Sequence, residues 1–566
     1  MTDASQSTQA RPVDAVANGF VTDYVQLDPL EATYLGISGY DDRLPDLSPD
    51  GFAAREELTR QALATMDRTD PTDAREHAAK DAFVERLSVT LEQYAAKTPQ
   101  SQLSVITSGL HEIREAFDLM STDGDEAWSN INARLAAIPD ALAGYRRTLT
   151  GCADDGDVSA KRQIREVVGQ VRAWTGQQGE AGNFFTSYVS GADVAGSLKD
   201  ELDANATGAT DAYGGFARFL EDELLPRGRD KDGVGRERYR PESRFFLGAE
   251  VDLDETYAWG WDELKRIEDE MAGVADKIVP GGGLDEAVAA LDSDRSRTIA
   301  GRDNFRDWMQ ELADRTLEEM AGVHFDIPDP IRRIECCIAP TNDGGIYYTG
   351  PSEDFSRPGR MWWAVPDGIT DFSTWRQVST VYHEGVPGHH LQVGQTAYRS
   401  ELLNRWQRIM CWVSGHGEGW ALYSERLMDD LGYLEDPGDK LGMLDSQGFR
   451  AARVVVDIGM HLELKIPSDN PFGFHPGETW TPELGLEFMR QHSRDEDAVI
   501  RFEVNRYLGW PGQAPSYKVG ERIWLQAREE AKQRKGAAFD LKEFHRAALD
   551  LGPLGLDPLR GALARL

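Results

Sequence analysis

Apolar residues recur at three- and four-residue spacing along most of the chain before Pro330, between faces rich in charge. The segments Ala53–Met66, Ala74–Ala95, Asp125–Leu149 and Ala160–Trp174 follow this pattern and are predicted as amphipathic helices. Asp70-Pro71, Gly151 and the run Pro280–Gly283 supply the turn chemistry between helical segments. The stretch Leu225–Tyr239, charged and containing glycine, reads as a linker or surface loop. It places a soft domain boundary near residue 230: an N-terminal helical region over 1–230 and a second region over 231–566, unless the two form one continuous domain.

The pattern changes between Ile331 and Val365. IRRIECCIAP, GGIYYTGP and RMWWAVP are short, β-branched or aromatic, and bounded by Gly or Pro, so they are predicted as strands of a small sheet. Helical periodicity returns after Thr374 and includes an apolar-faced run from Leu441 to Leu464. The expected fold is mainly α, a large helical body with a small β-sheet beside the segment that carries the chemistry.

Composition narrows the function. With 97 acidic against 61 basic residues the net charge is −36, which repels phosphate backbones and anionic lipid headgroups. Neither nucleic acid nor membrane is an expected partner. The four cysteines form no CxxC pair in 566 residues, so a reducing compartment is expected. No signal-peptide-like run opens the sequence and no apolar stretch has transmembrane length, which makes the expected location cytoplasmic.

Three of eleven histidines fall within eight residues, in Val381–Gln392, VYHEGVPGHHLQ. Imidazole is the commonest ligand for zinc-like cations, so a metal site is the first functional reading. His383-Glu384 begins like the zincin motif HExxH, in which two histidines one turn apart share a metal and the glutamate activates water. Here Pro387 occupies the second histidine's place. On an unbroken helix His390 would lie about 10 Å further along the axis than His383, too far to share one ion. Pro387 breaks the helical ladder and Gly388 allows backbone angles closed to other residues, so residues can be looped out. Removing two brings His389 one turn from His383; reaching His390 requires removing three. His389 is the preferred ligand and His390 the alternative.

Glu418, in SGHGEGWALYSERL, completes a His₂Glu set of the kind that holds catalytic zinc with one position left for water. Glu425, seven residues on, faces the same way and is placed to orient a ligand histidine. His461 lies on a strongly apolar helix, and core packing is its plainer role. The run Arg501–Gly520 gathers Arg506, Tyr507, Tyr517 and Lys518 around a Trp-Pro-Gly turn, suited either to binding a carboxylate or oxyanion or to joining two helices.

HEGVPGHHLQ, GEGWALYSE and RYLGWPGQAPSYKVG resemble the signature blocks of a bacterial family known as domain of unknown function 885, over nearly the whole chain. That family is similar in turn to Taq-type zinc carboxypeptidases and thimet-type oligopeptidases. The resemblance implies a zincin-like helical body with a deep cleft over a small sheet. It implies zinc held by His383, His389 and Glu418, with Glu384 as general base in peptide hydrolysis. It leaves Tyr507, Tyr517 and His461, in that order, as candidates for the oxyanion donor, and Arg506 or Lys518 for a substrate carboxylate. The expected partner is a peptide or small-molecule substrate. Two other functions fit the same residues: a metal-dependent hydrolase of non-peptide amides or esters, and a metal-free binding or scaffold protein that kept the fold.

Overall fold

The computed structural model describes residues 11–179, 182–339, 345–366 and 368–565. The protein is mainly α, with 67% of residues helical and 5% in strands. The chain forms two compact units. The first contains residues 11–70, 87–241 and 501–511, the second 71–86, 242–500 and 512–565.

The first unit is helical throughout its core. The helix Gly124–Asp154 buries Trp128, Ile131, Leu135, Ile138, Leu142, Tyr145 and Leu149, a three- and four-residue spacing that turns one face inward. Tyr145 stacks on Phe216 of the helix Ser197–Phe219, with ring centroids 5.6 Å apart. The segments expected to be helical all are, within helices Pro49–Asp67, Ala74–Ala95, Gly124–Asp154 and Lys161–Trp174. The fourth falls in the first unit and begins one residue later than the periodicity placed it. The expected linker Leu225–Tyr239 is only partly a loop, because a helix starts at Gly235 and runs to Leu247. Tyr239 is fully buried in it, and the surrounding charges hid that single inward position.

The second unit carries the sheet and five helices that matter below. Strands β1 (Ile334–Ile338), β2 (Ile346–Thr349) and β3 (Gly359–Trp363) form a sheet in the order β1-β3-β2. β1 runs parallel to β3 and β2 antiparallel to it, so that Cys336 and Tyr348 both pair with Met361. Burial alternates along β3, with Met361 and Trp363 inside and Arg360 and Trp362 toward the surface. The sheet lies where the sequence placed it, although residues 340–344 of that region lie outside the described residues. A separate two-stranded ribbon pairs Thr298–Ala300 with Asp371–Ser373.

The helices are α1 (Val378–Glu384), α2 (His389–Tyr398), α3 (Ser414–Asp430), α4 (Pro437–Leu462) and α5 (Ser516–Lys535). α3 and α5 approach backbone to backbone: a Cβ on Gly419 would come within 2.5 Å of the Gly520 carbonyl carbon. Two facing glycines make that approach possible, and it fixes the rotation of α3 about its axis. Among the described residues no helix is long and apolar enough to cross a membrane.

Candidate metal centre

The break between α1 and α2 sets the geometry of the site. The Gly385 amide still bonds back four residues, to Val381 O at 2.8 Å. The Gly388 amide reaches back six, to Tyr382 O at 3.1 Å, and the His390 amide five, to Gly385 O at 3.1 Å. Two residues have therefore been expelled from the ladder around the cis Val386-Pro387 bond. Gly388 is obligatory here, because a Cβ would overlap the carbonyl oxygen of His383. The Pro387 carbonyl accepts hydrogen bonds from Trp420 Nε1 at 2.8 Å and Ser424 Oγ at 3.3 Å, both on α3.

This bulge puts His389 where a regular helix would put the residue one turn after His383. The two rings lie 4.9 Å apart, nearly perpendicular. Glu418 Oε2 is 3.4 Å from the Nε2 of each. That distance is long for a good hydrogen bond. It matches ligand atoms around one tetrahedral ion, whose arms of about 2.0–2.1 Å set neighbouring ligands about 3.3–3.4 Å apart. Glu384 also offers an oxygen within 4.8 Å of both histidines' ligand atoms. Two carboxylates thus stand beside the histidine pair: Glu418, equidistant from both Nε2 atoms, and Glu384, which groups with the same two rings.

The surroundings favour positive charge. Glu425 Oε1 accepts from His383 Nδ1 at 2.7 Å, and its Oε2 accepts from Ser379 Oγ at 2.6 Å. This bond keeps a proton on Nδ1 and turns Nε2 toward Glu418. Burial by itself would lower the pKa of His383, but Glu418 and Glu425 outweigh it and raise it to about 10. Burial pushes the Glu384 carboxyl up, against the pull of His389 and His383. Burial also opposes ionisation of Glu418, yet the same two histidines hold its pKa below the ordinary range. Among the described residues, Glu384 Oε2 and His389 Nδ1 are buried without hydrogen-bond partners. A cation ligated by two imidazoles and a carboxylate fits this donor set.

His390 is differently employed. Its Nε2 donates to Ile331 O at 2.8 Å and its Nδ1 accepts from the Tyr348 hydroxyl at 2.9 Å, so neither nitrogen faces the Glu418 side. Burial lowers its pKa to about 4, which keeps the ring neutral. The structure brings His389, and not His390, to His383 and Glu418.

Residues 29–563 match a family described as "Bacterial protein of unknown function (DUF885)". The chain belongs to this family. Two solved structures share its fold. The "putative lipoprotein from Colwellia psychrerythraea" is 22% identical, with 98% of each chain covered and a TM-score of 0.82. The "putative lipoprotein of unknown function from Shewanella oneidensis" is 19% identical, covering 98% of this chain and 100% of that one, with a TM-score of 0.75. Among curated proteins nothing matches the sequence.

The other candidate residues of this DUF885 chain are placed as follows. Tyr517 is half-buried on α5, with the guanidinium groups of Arg453 and Arg450 at 5.1 and 5.8 Å from its ring centroid. Arg450, on α4, is among the charges that favour ionised Glu384 and Glu425, and sequence reasoning passed over it. Its only signal was an arginine within a strongly apolar helix. His461 is fully buried on α4, 3.7 Å from Asp457, whose Oδ2 accepts the Gly512 amide at 3.0 Å. His416 is buried against Trp524, with burial lowering its pKa to about 3.

Lys518 is buried and engaged by Glu521, by Gln447 Oε1 at 2.5 Å and by Glu263 Oε1 at 3.1 Å. Its charge is met inside the protein. Arg506 and Tyr507 belong to the first unit, where Arg506 Nη2 bonds Glu503 at 2.8 Å and the Tyr507 hydroxyl donates to Glu503 at 2.7 Å.

Proposed function

We propose that this protein is a zinc-dependent metallopeptidase, of carboxypeptidase or oligopeptidase type, with His383, His389 and Glu418 as ligands and Glu384 as general base. The observation that carries the reading is the equal 3.4 Å spacing of both Nε2 atoms from Glu418 Oε2. The resemblance of the HEGVPGHH and GEGWALYSE blocks to Taq-type carboxypeptidases and thimet-type oligopeptidases adds the substrate class. A bound zinc supplies a Lewis acid and a water of lowered pKa.

The chain's own residues do the rest. Glu425 holds the His383 ring in one tautomer. The free Oε2 of Glu384 accepts a proton from a water attacking a carbonyl and returns it to the leaving nitrogen. Of the candidate oxyanion donors, Tyr517 is the one packed against Arg450, whose charge also acts on Glu384. The four unpaired cysteines support the cytoplasm as its location.

The test is metal analysis of protein purified without chelator, followed by incubation with a peptide library. About one zinc per chain and cleavage of peptides are expected. Zinc without peptide cleavage would move the assignment to another amide or ester, since the same attack serves those bonds. Absence of zinc would leave a binding or scaffold role.

A further inference from the structure

Four of the five charged or imidazole residues at the centre, His383, Glu384, His389 and Glu425, are buried, and Glu418 is partly exposed. Trp412 stands beside them with 52% of its surface exposed. An exposed indole alone is ordinary protein surface. Its seating here is specific. A Cβ on Gly417, the residue before Glu418, would overlap the six-membered ring of Trp412, so only glycine leaves room for the indole against the first turn of α3. The indole also lies 6.2 Å from the His389 ring, tilted by 53°. It thus spans from one candidate ligand to the neighbour of another and still presents half its surface to water. Trp420 and Trp524, on α3 and α5, are by contrast completely buried.

We infer that Trp412 determines specificity: it is a wall on the open side of the centre that receives an aromatic or large apolar group carried next to the scissile carbonyl. The inference rests on the metal-hydrolase reading. Glu418 and Trp412 mark the side on which the centre meets solvent, so a substrate carbonyl that reaches the metal brings its adjoining group over the indole. Trp412 does no chemistry, and its contribution is apolar contact and aromatic packing.

Two zinc-directed probes with the same head group separate these roles. Acetohydroxamate carries a methyl beside its carbonyl and benzohydroxamate a phenyl. Affinities of both are measured by calorimetry on the zinc-loaded protein and on Trp412→Ala. The variant is expected to keep about one zinc per chain and to bind acetohydroxamate within about twofold of the parent, while losing about tenfold in benzohydroxamate affinity, the size of one aromatic contact. Trp412→Phe should restore most of that loss. An unchanged ratio of the two affinities in zinc-replete Trp412→Ala overturns the inference and leaves the metal reading intact. If the alanine variant sheds metal, Trp412→Leu, which still covers His389, decides by the same ratio. A parent protein that takes up no zinc defeats the metal reading, and this inference with it.

Discussion

The amide of Gly388 donates to the carbonyl of Tyr382, six residues earlier, at 3.1 Å. An α-helical ladder spans four. The surplus of two is the number of residues by which HEGVPGH exceeds HExxH, so the helix absorbs the insertion locally and resumes with His389 in register. The insertion therefore changes the sequence motif without changing the relation between its two histidines.

Gly388→Ala tests that account. Its Cβ would meet the His383 carbonyl oxygen, and neither backbone can move without displacing a candidate ligand. A loss of about 2–3 kcal/mol is expected, at the upper end for overpacking. Thermal melts should show a lowered Tm, and metal analysis a reduced zinc content. A variant as stable as the parent would mean the bulge is not formed as described.

His389→Ala and His390→Ala should fail in different ways. His389→Ala removes a ligand, and zinc affinity should fall by more than about 100-fold, beyond the usual effect of a neighbour that only orients a ligand. His390→Ala leaves the ligands but breaks bonds to Ile331 and Tyr348, so stability should fall by about 2 kcal/mol. Zinc titration and denaturant melts read the two effects separately, and equal zinc loss in both variants would overturn the assignment.

Glu384→Gln keeps size and hydrogen bonding but removes the proton acceptor. Zinc should remain at one per chain while peptide hydrolysis falls at least about 10²-fold. Glu418→Gln removes a charged ligand and should weaken metal binding itself. Turnover by Glu384→Gln at the parent's rate would show that this carboxylate is not the base.

Glu425 acts through His383. In Glu425→Gln the amide oxygen can still accept from His383 Nδ1, but the negative charge is gone, and zinc affinity should fall by about tenfold. Glu425→Ala also removes the hydrogen bond and should approach about 100-fold. Competition with a chelator of known affinity measures both.

A pH effect is expected in the first unit, at Glu31. Burial and the charges of Asp28 and Glu112 raise its carboxyl from 4.5 to about 7. A raised folded pKa means the native state holds the proton more tightly, so this contribution is full below 4.5 and lost as pH rises through 7. Glu31→Gln cannot lose it. The variant should match the parent at about pH 4 and be more stable at pH 8 by about 1 kcal/mol, after allowing for solvent around a half-buried side chain. Melts at both pH values check the sign.

What could be read from the sequence was local. The two-residue bulge follows from rigid helix dimensions and the Pro-Gly pair, and Glu425 follows from its seven-residue spacing after Glu418. The role of His390 was hidden, because its partners Tyr348 and Ile331 lie 42 and 59 positions away in the chain. Lys518 likewise looked available in RYLGWPGQAPSYKVG, although Glu263 comes to it from a helix more than 250 residues earlier. That run ends one helix at Gly509 and starts another at Ser516, the helix-joining alternative of the two it offered. Trp412 carried no periodic signal at all, and its place beside His389 depends on how α3 is packed.

The two bonds from Trp420 and Ser424 to the Pro387 carbonyl tie the histidine segment to the glutamate helix without any metal. The site's architecture is therefore bought in advance, unlike that of a zinc finger, which folds only as it loads. Stripping the ion should leave a folded apoprotein that refills without refolding. If the centre binds a metal as proposed, its occupancy would then be set by metal supply and not by a folding step.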